Sequence, residues 1–331
     1  MVIAPPADAG QPAMANYHQI KRIPIGGEGG WDYLTMDSAA HRLYVTRGTH
    51  VMVVDTESGK VVGDIANTPG VHGVSLAPKL NRGFTSNGRD NTVTEFDLKT
   101  LKEVRRIPVG QNPDAILYDA GSKRIFTFNG RSNDVSAVDI ESGKVAGTIA
   151  VGGKPEFCVS DEKGTVFCNV EDTNQIVAFD ARTLAVKAHW PIAPVDGPSG
   201  LAIDRAHHRL FAVGGNKLMA IVDSITGKLV ATPKIGDGPD AAAFDPATNL
   251  AFSSNGGDGT LTIIHEESPS SFKVAATVPT QAGARTMTID PKNHRIYLIT
   301  AAFKPQSAGG SGGQRRPTME PNSAVILIYG P

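Results

Sequence analysis

Apolar residues in this chain come in short runs closed by polar turns, as in Arg42-Leu-Tyr-Val-Thr46 and Val51-Met-Val-Val54. Within a run they occupy successive positions and do not strictly alternate, the pattern of strands buried on both faces. The runs recur. Aligned on the aromatic residue after a polar turn, they give Asp37…Tyr44, Ala77…Phe84, Asp119…Phe126, Ser160…Phe167, Asp204…Phe211, Asp245…Phe252 and Asp290…Tyr297, with first-residue spacings of 40, 42, 41, 44, 41 and 45. A fixed period of this length marks a repeat architecture.

A second marker confirms the phase: six units close a β-rich run at Asp55, Asp97, Asp139, Asp180, Asp223 and His265, and the seventh falls at Tyr329. Several continue as Ser58-Gly-Lys60, Ser142-Gly-Lys144 or Thr226-Gly-Lys228, where Gly supplies the positive φ of a tight turn. Each unit reads as four strands, a to d. Seven such units stacked face to face predict an all-β, seven-bladed β-propeller.

The last unit supplies strands a (286–290), b (295–300) and c (324–329), and then the chain stops. Arg22-Ile-Pro-Ile-Gly26 matches the strand-d phrase Arg106-Ile-Pro-Val-Gly110, so residues 17–25 are expected to complete blade seven and clasp the ring. The expected organisation is a disordered lead (1–16) and one propeller (17–331). An insertion within 304–322, rich in Gly, Ser and Pro, reads as a flexible loop, either a lid or a segment without function.

Net charge narrows the partners. With 32 Lys and Arg against 33 Asp and Glu, no general field attracts nucleic acid or an anionic membrane. No apolar run approaches the roughly 18 residues of a membrane helix. The start, Met1-Val-Ile-Ala-Pro-Pro6 onward, lacks the basic and apolar regions of a signal peptide. It reads either as the Ala/Pro-rich lead of an exported protein whose signal was replaced by Met, or as a cytoplasmic tail. A periplasmic or secreted monomer is expected.

Tyr44-Val-Thr-Arg47, with the Val-Val-Asp and Gly-Lys phrases, resembles the YVTN β-propeller repeat family, especially its bacterial YncE-like members, over residues 17–331. Arg47 departs from the family's Asn. The resemblance implies the fold and an exported location, but no shared chemistry. Trp31-Asp32 lies in a d–a connection and is not a WD40 mark; two Trp in all argue against a pyrroloquinoline quinone cofactor.

The d–a and b–c connections of a propeller emerge on one face, around the channel. In phase there, five residues before the first marker, with Asp161 taken as the marker in blade four to absorb a one-residue shortening of its turn, stand Asp32, His72, Asp114, Glu156, Ser199, Asp240 and Arg285. Clustered carboxylates repel and recruit cations, and Asp32, His72, Asp114 and Glu156 are a ligand set for Ca²⁺, Mg²⁺, Zn²⁺ or Fe²⁺. Arg285 adjoins blade one and could pair with Asp32 or hold a carboxylate ligand. The competing reading is turn chemistry, because four of these positions follow Pro. Arg47, Arg89 and Arg131 form a candidate anion-binding crescent, the last two inside Asn-Gly-Arg phrases that also signal tight turns.

Cys158 and Cys168 flank one hairpin and are either a disulfide or two buried thiols. His41, His207, His208 and His294 fall in turns on the opposite face and read as surface residues. The function expected is a binding module holding a small ligand, ion or partner protein on the channel face. The alternative is a metal-assisted, lactonase-like hydrolase or lyase at the channel mouth.

Overall fold

The computed structural model describes residues 16–304 and 318–331. Its strands form seven four-stranded antiparallel sheets. Strand a of each blade lies innermost: Leu34–Asp37, Val71–Ala77, Pro113–Asp119, Pro155–Ser160, Pro198–Asp204, Pro239–Asp245 and Met287–Asp290. Each touches its neighbour, and Met287–Asp290 meets Leu34–Asp37 to close the ring. This is the predicted seven-bladed propeller. Among the described residues no helix is long and apolar enough to cross a membrane.

The clasp has the expected form. His18–Pro24 pairs antiparallel with Val325–Gly330, Ile23 opposite Ile326, as the fourth strand of blade seven. The lead predicted for 1–16 falls almost wholly outside the described residues, as does 305–317 of the predicted loop. The described ends of that loop are paired: Lys304 N–H donates to Thr318 O and Glu320 N–H to Ala302 O, each at 2.8 Å.

The two sequence markers have separate jobs. The aromatic of strand b (Tyr44, Phe84, Phe126, Phe167, Phe211, Phe252 or Tyr297) is buried between sheets, and several rings meet an aromatic of the next blade, as Phe126 meets Phe179 and Phe211 meets Phe244. Aromatic pairs of this kind add to the burial energy that stacks the blades. The aspartates cap turns. Asp37 Oδ1 accepts from the N–H groups of Ala39 and Ala40 in an a–b turn, and Asp55 Oδ1 accepts from Ser58 N–H and Oγ in a c–d turn. Gly59, Gly143 and Gly227 take the positive φ expected of them. Blades two and four place Leu101 and Leu184 in that conformation instead, and their side chains cover Gly63 and Gly147 of the preceding blade.

Cys158 and Cys168 sit directly opposite in the ladder of blade four, Cα atoms 4.2 Å apart, and form a disulfide. That separation is typical of the close, non-hydrogen-bonded cross-strand pair.

Candidate functional site at the channel mouth

Strand a of blades two to six opens with one residue paired to the end of strand b, namely Val71, Pro113, Pro155, Pro198 or Pro239. The register then shifts before pairing resumes. The residue just after the opening position (His72, Asp114, Glu156, Ser199 or Asp240) lies in this irregular step, and such bulges re-aim side chains. Turn chemistry is therefore not what places them: Pro begins a strand here, a position strands tolerate. Together with Asp32 and Arg285, which precede strand a in blades one and seven, all seven in-phase residues line one pocket of about 680 Å³.

The next position along strand a sets what lies beneath the pocket. There the chain has Gly73, Ala115, Gly200, Ala241 and Thr286 in five blades, but Tyr33 and Phe157 in the other two. Those rings meet with centroids 5.4 Å apart, and Tyr33 lines both this pocket and a second cavity of about 200 Å³ that Phe157 also lines. Gly200 has no room for a larger residue, since a Cβ would lie 2.6 Å from Ala241 Cα.

Charges in the pocket form two groups. In the first, His72 Nδ1 lies 2.7 Å from Asp32 Oδ2 and 3.6 Å from Asp114 Oδ1. Arg285 lies 3.6 Å from Asp32 Oδ1 and donates to Asp240 Oδ2 at 2.6 Å. The expected Arg285–Asp32 contact thus exists, but Asp240 is the closer partner. In the second group, Lys154 Nζ bridges Glu156 and Glu171 at 2.5 Å each. Ser199 is uncharged and donates to Pro239 O.

Acid outnumbers base in these contacts: Asp32, Asp114, Glu156, Glu171 and Asp240 face His72, Lys154 and Arg285, with Arg89 and Arg131 farther round the lining. The titrations follow. Burial pushes the Glu156 carboxyl up to about 8, with Asp114 adding to the shift and Lys154 opposing it. Burial likewise raises Asp240 to about 7, helped by Asp32 and Asp114 against Arg285. Asp114 is raised by burial and Asp32 while His72 opposes. Burial works against charging His72, but Asp32 and Asp114 outweigh it and raise its pKa. Tyr33 is held well above the usual phenol range by burial and the surrounding carboxylates, so it stays a neutral hydroxyl.

The metal-ligand set divides. One ligand atom each from Asp32, His72 and Asp114 lie within 4.8 Å of one another, a spacing that suits a single cation. Glu156, the fourth expected ligand, falls outside that set and is held by Lys154. The arginine crescent also divides. Arg89 and Arg131 line the pocket, but Arg47 does not. Its guanidinium is fully buried and donates to the carbonyls of Gly26 and Glu28, so it braces the connection leading to Asp32.

The Asn-Gly phrases are not φ-positive hairpin turns. Asn87 and Asn129 end strand b, buried, and their amides bond across to strand c at Thr94 and Ser136; the left-handed residues are Asn91 and Asn133. Gly88 is needed for space, because a Cβ there would come within 2.7 Å of His72 Nε2.

Lys154, Glu171 and Tyr33 escaped the sequence reading. Tyr33 carried a signal, being one of two aromatics at a position otherwise small. Lys154 and Glu171 belong to blade four alone, so no phase relation marked them.

No protein-family model and no curated protein matches this chain. Among solved structures it is similar to a chain of the "Crystal Structure of Mitotic Checkpoint Complex", with a TM-score of 0.77 at 15% identity, covering 99% of this chain and 96% of that one. The likeness extends over the whole propeller and concerns the fold.

Proposed function

We propose that this chain is an exported binding module of the YVTN-repeat kind that holds a small polar ligand or ion at the channel mouth. The observation that carries this reading is the convergence of seven in-phase residues, one per blade, on a single charge-lined pocket of about 680 Å³, ample for a small molecule. The clustered carboxylates favour a ligand with a cationic group, or a metal ion, seated at Asp32, His72 and Asp114, with Arg89 and Arg131 placed to meet an anionic end. Binding leads over catalysis because Asp32, Asp114, Glu156 and Asp240 each already have a cationic partner within the chain. A ligand would exchange into these pairs.

A metal-assisted hydrolase or lyase acting on a lactone-like substrate is the second reading. It is favoured by the Asp32–His72–Asp114 spacing next to Glu156, a carboxyl that burial and Asp114 raise against the pull of Lys154, as a general acid or base requires.

Elemental analysis of the purified protein, then titration of chelator-treated protein with Ca²⁺, Mn²⁺ and Zn²⁺, tests the metal-bound form. Wild type should bind an equivalent that His72→Ala loses and Glu156→Gln keeps. Lactone hydrolysis that needs the metal and is lost in Glu156→Gln would move the assignment to the enzyme; metal binding with no turnover would leave the binding module. A protein whose affinity for every ion is unchanged by His72→Ala would exclude a metal at this site.

A further inference from the structure

A second convergence lies at the opposite end of the propeller, between blades five and six, where the a–b and c–d turns emerge. Asp204 ends strand a of blade five, His207 follows in its a–b turn, and Glu266 lies just past the second marker of blade six. His207 Nδ1 is 2.6 Å from Asp204 Oδ2 and 3.4 Å from Glu266 Oε1. One ligand atom from each residue lies within 4.8 Å of the others. His207 therefore differs from the surface residue expected of its turn.

Glu266 is the unusual member. The position after the second marker is Thr56, Leu98, Ile140, Ala181 and Ser224 in blades one to five, all buried and uncharged. Blade six alone puts a carboxylate there. Its side chain is 1% exposed, and neither carboxylate oxygen has a hydrogen-bond partner among the described residues. Asp204 is buried beside it and spends Oδ1 on the N–H of Ala206. Arg209, the other nearby cation, is committed to Asp223 and to the carbonyls of His208 and Pro269. Two buried carboxylates thus share one imidazole, and a buried carboxylate without hydrogen bonds is costly unless something charged completes it.

We propose that Asp204, His207 and Glu266 form a binding site for a divalent transition ion of the Zn²⁺ class. One nitrogen and carboxylate oxygens are the donor set such ions take, and the two carboxylates balance the charge of a dication. The ion replaces the proton that Nδ1 shares with Asp204. Glu266 gains the partner it lacks, and the half-exposed His207 leaves a path from solvent and a coordination position for water. Nothing at the channel mouth contributes, so the site stands or falls separately from the function proposed above.

The test uses the full chain carrying His72→Ala and Asp114→Asn, which removes the channel-mouth ligands. After chelator treatment it is dialysed against Zn²⁺, with bound metal measured per chain and melting followed with and without the ion. One equivalent should bind and raise the melting temperature, as any ligand selective for the native state does. Adding Glu266→Gln, nearly isosteric, should weaken binding by roughly tenfold or more, the scale on which loss of even a supporting group weakens a metal site. His207→Ala, at a half-exposed position, should do the same if Glu266→Gln proves hard to fold. No bound Zn²⁺ in the background protein, or affinity indifferent to both substitutions, would overturn the proposal and leave Asp204 and Glu266 as a proton-sharing pair.

Discussion

Glu156 shows how a single side chain at the channel mouth couples charge to stability. Its carboxyl is pushed up to about 8, first by burial and then by Asp114, whereas an unfolded chain would titrate it near the ordinary value of about 4.3. Between those limits the folded state binds more protons than the unfolded one, so stability falls as pH rises. Asp240, raised to about 7, acts in the same direction over a narrower window. The contribution is fully present below about pH 4 and lost above about pH 8. Denaturant unfolding of wild type should therefore show stability declining by an amount on the order of a few kcal/mol from pH 5 to pH 8. Glu156→Gln, which leaves Lys154 its partner Glu171, should flatten that decline. A decline equally steep in the variant would mean that Glu156 ionises normally.

At the scale of the strand, what could be read from sequence and what could not divide along the repeat. The blade strands were legible because burial on both faces leaves a periodic apolar signature, and the aspartates at 37, 55 and their counterparts kept the register. The channel positions were legible as a phase, five residues before each marker and four in blade four, although the mechanism that aims them was not. Proline followed by a polar residue reads as a turn, yet here it opens a strand at a register shift, which only the pairing reveals. Arg47 was misplaced for a related reason: it follows its blade's aromatic by three residues, the phase of the buried Asn87 and Asn129, whereas Arg89 and Arg131 follow theirs by five. Gly88 likewise looked like turn chemistry. Its φ is not positive, so alanine fits the backbone and differs only by a Cβ that would lie 2.7 Å from His72 Nε2 and 2.9 Å from Asn112 Oδ1. Gly88→Ala should therefore displace the imidazole and loosen its bond to Asp32. His72, whose pKa that bond helps to raise, should titrate lower by NMR, while the melting temperature moves by only a few degrees. An unshifted His72 titration would show that the ring is not held by this contact.

At the scale of the ring, closure rests on a strand unlike the others. Strand d of blade three, Lys144–Ala150, is tied to strand c of its own blade by the short turn capped by Asp139 and runs on into blade four. The clasp strand His18–Pro24 continues into blade one but reaches its partner Val325–Gly330 only through the ladder and side-chain packing. Both strands bury an isoleucine to similar depth, Ile23 and Ile149, so Ile→Ala at either should cost about 2–5 kcal/mol of global stability. Local opening should differ. Releasing the clasp frees chain that no turn holds beside its partner, whereas strand d of blade three must open against a turn that keeps it close to strand c. Native-state hydrogen exchange should therefore find the amides of Ile23 and Lys21 exchanging through a lower-energy opening than those of Ile149 and Gly147. Ile23→Ala should lower protection in the clasp and in Val325–Gly330 before it affects blade three. Equal protection in the two strands would mean that the ring opens only by unfolding as a whole, with the noncovalent seam as strong as any covalent turn in the molecule.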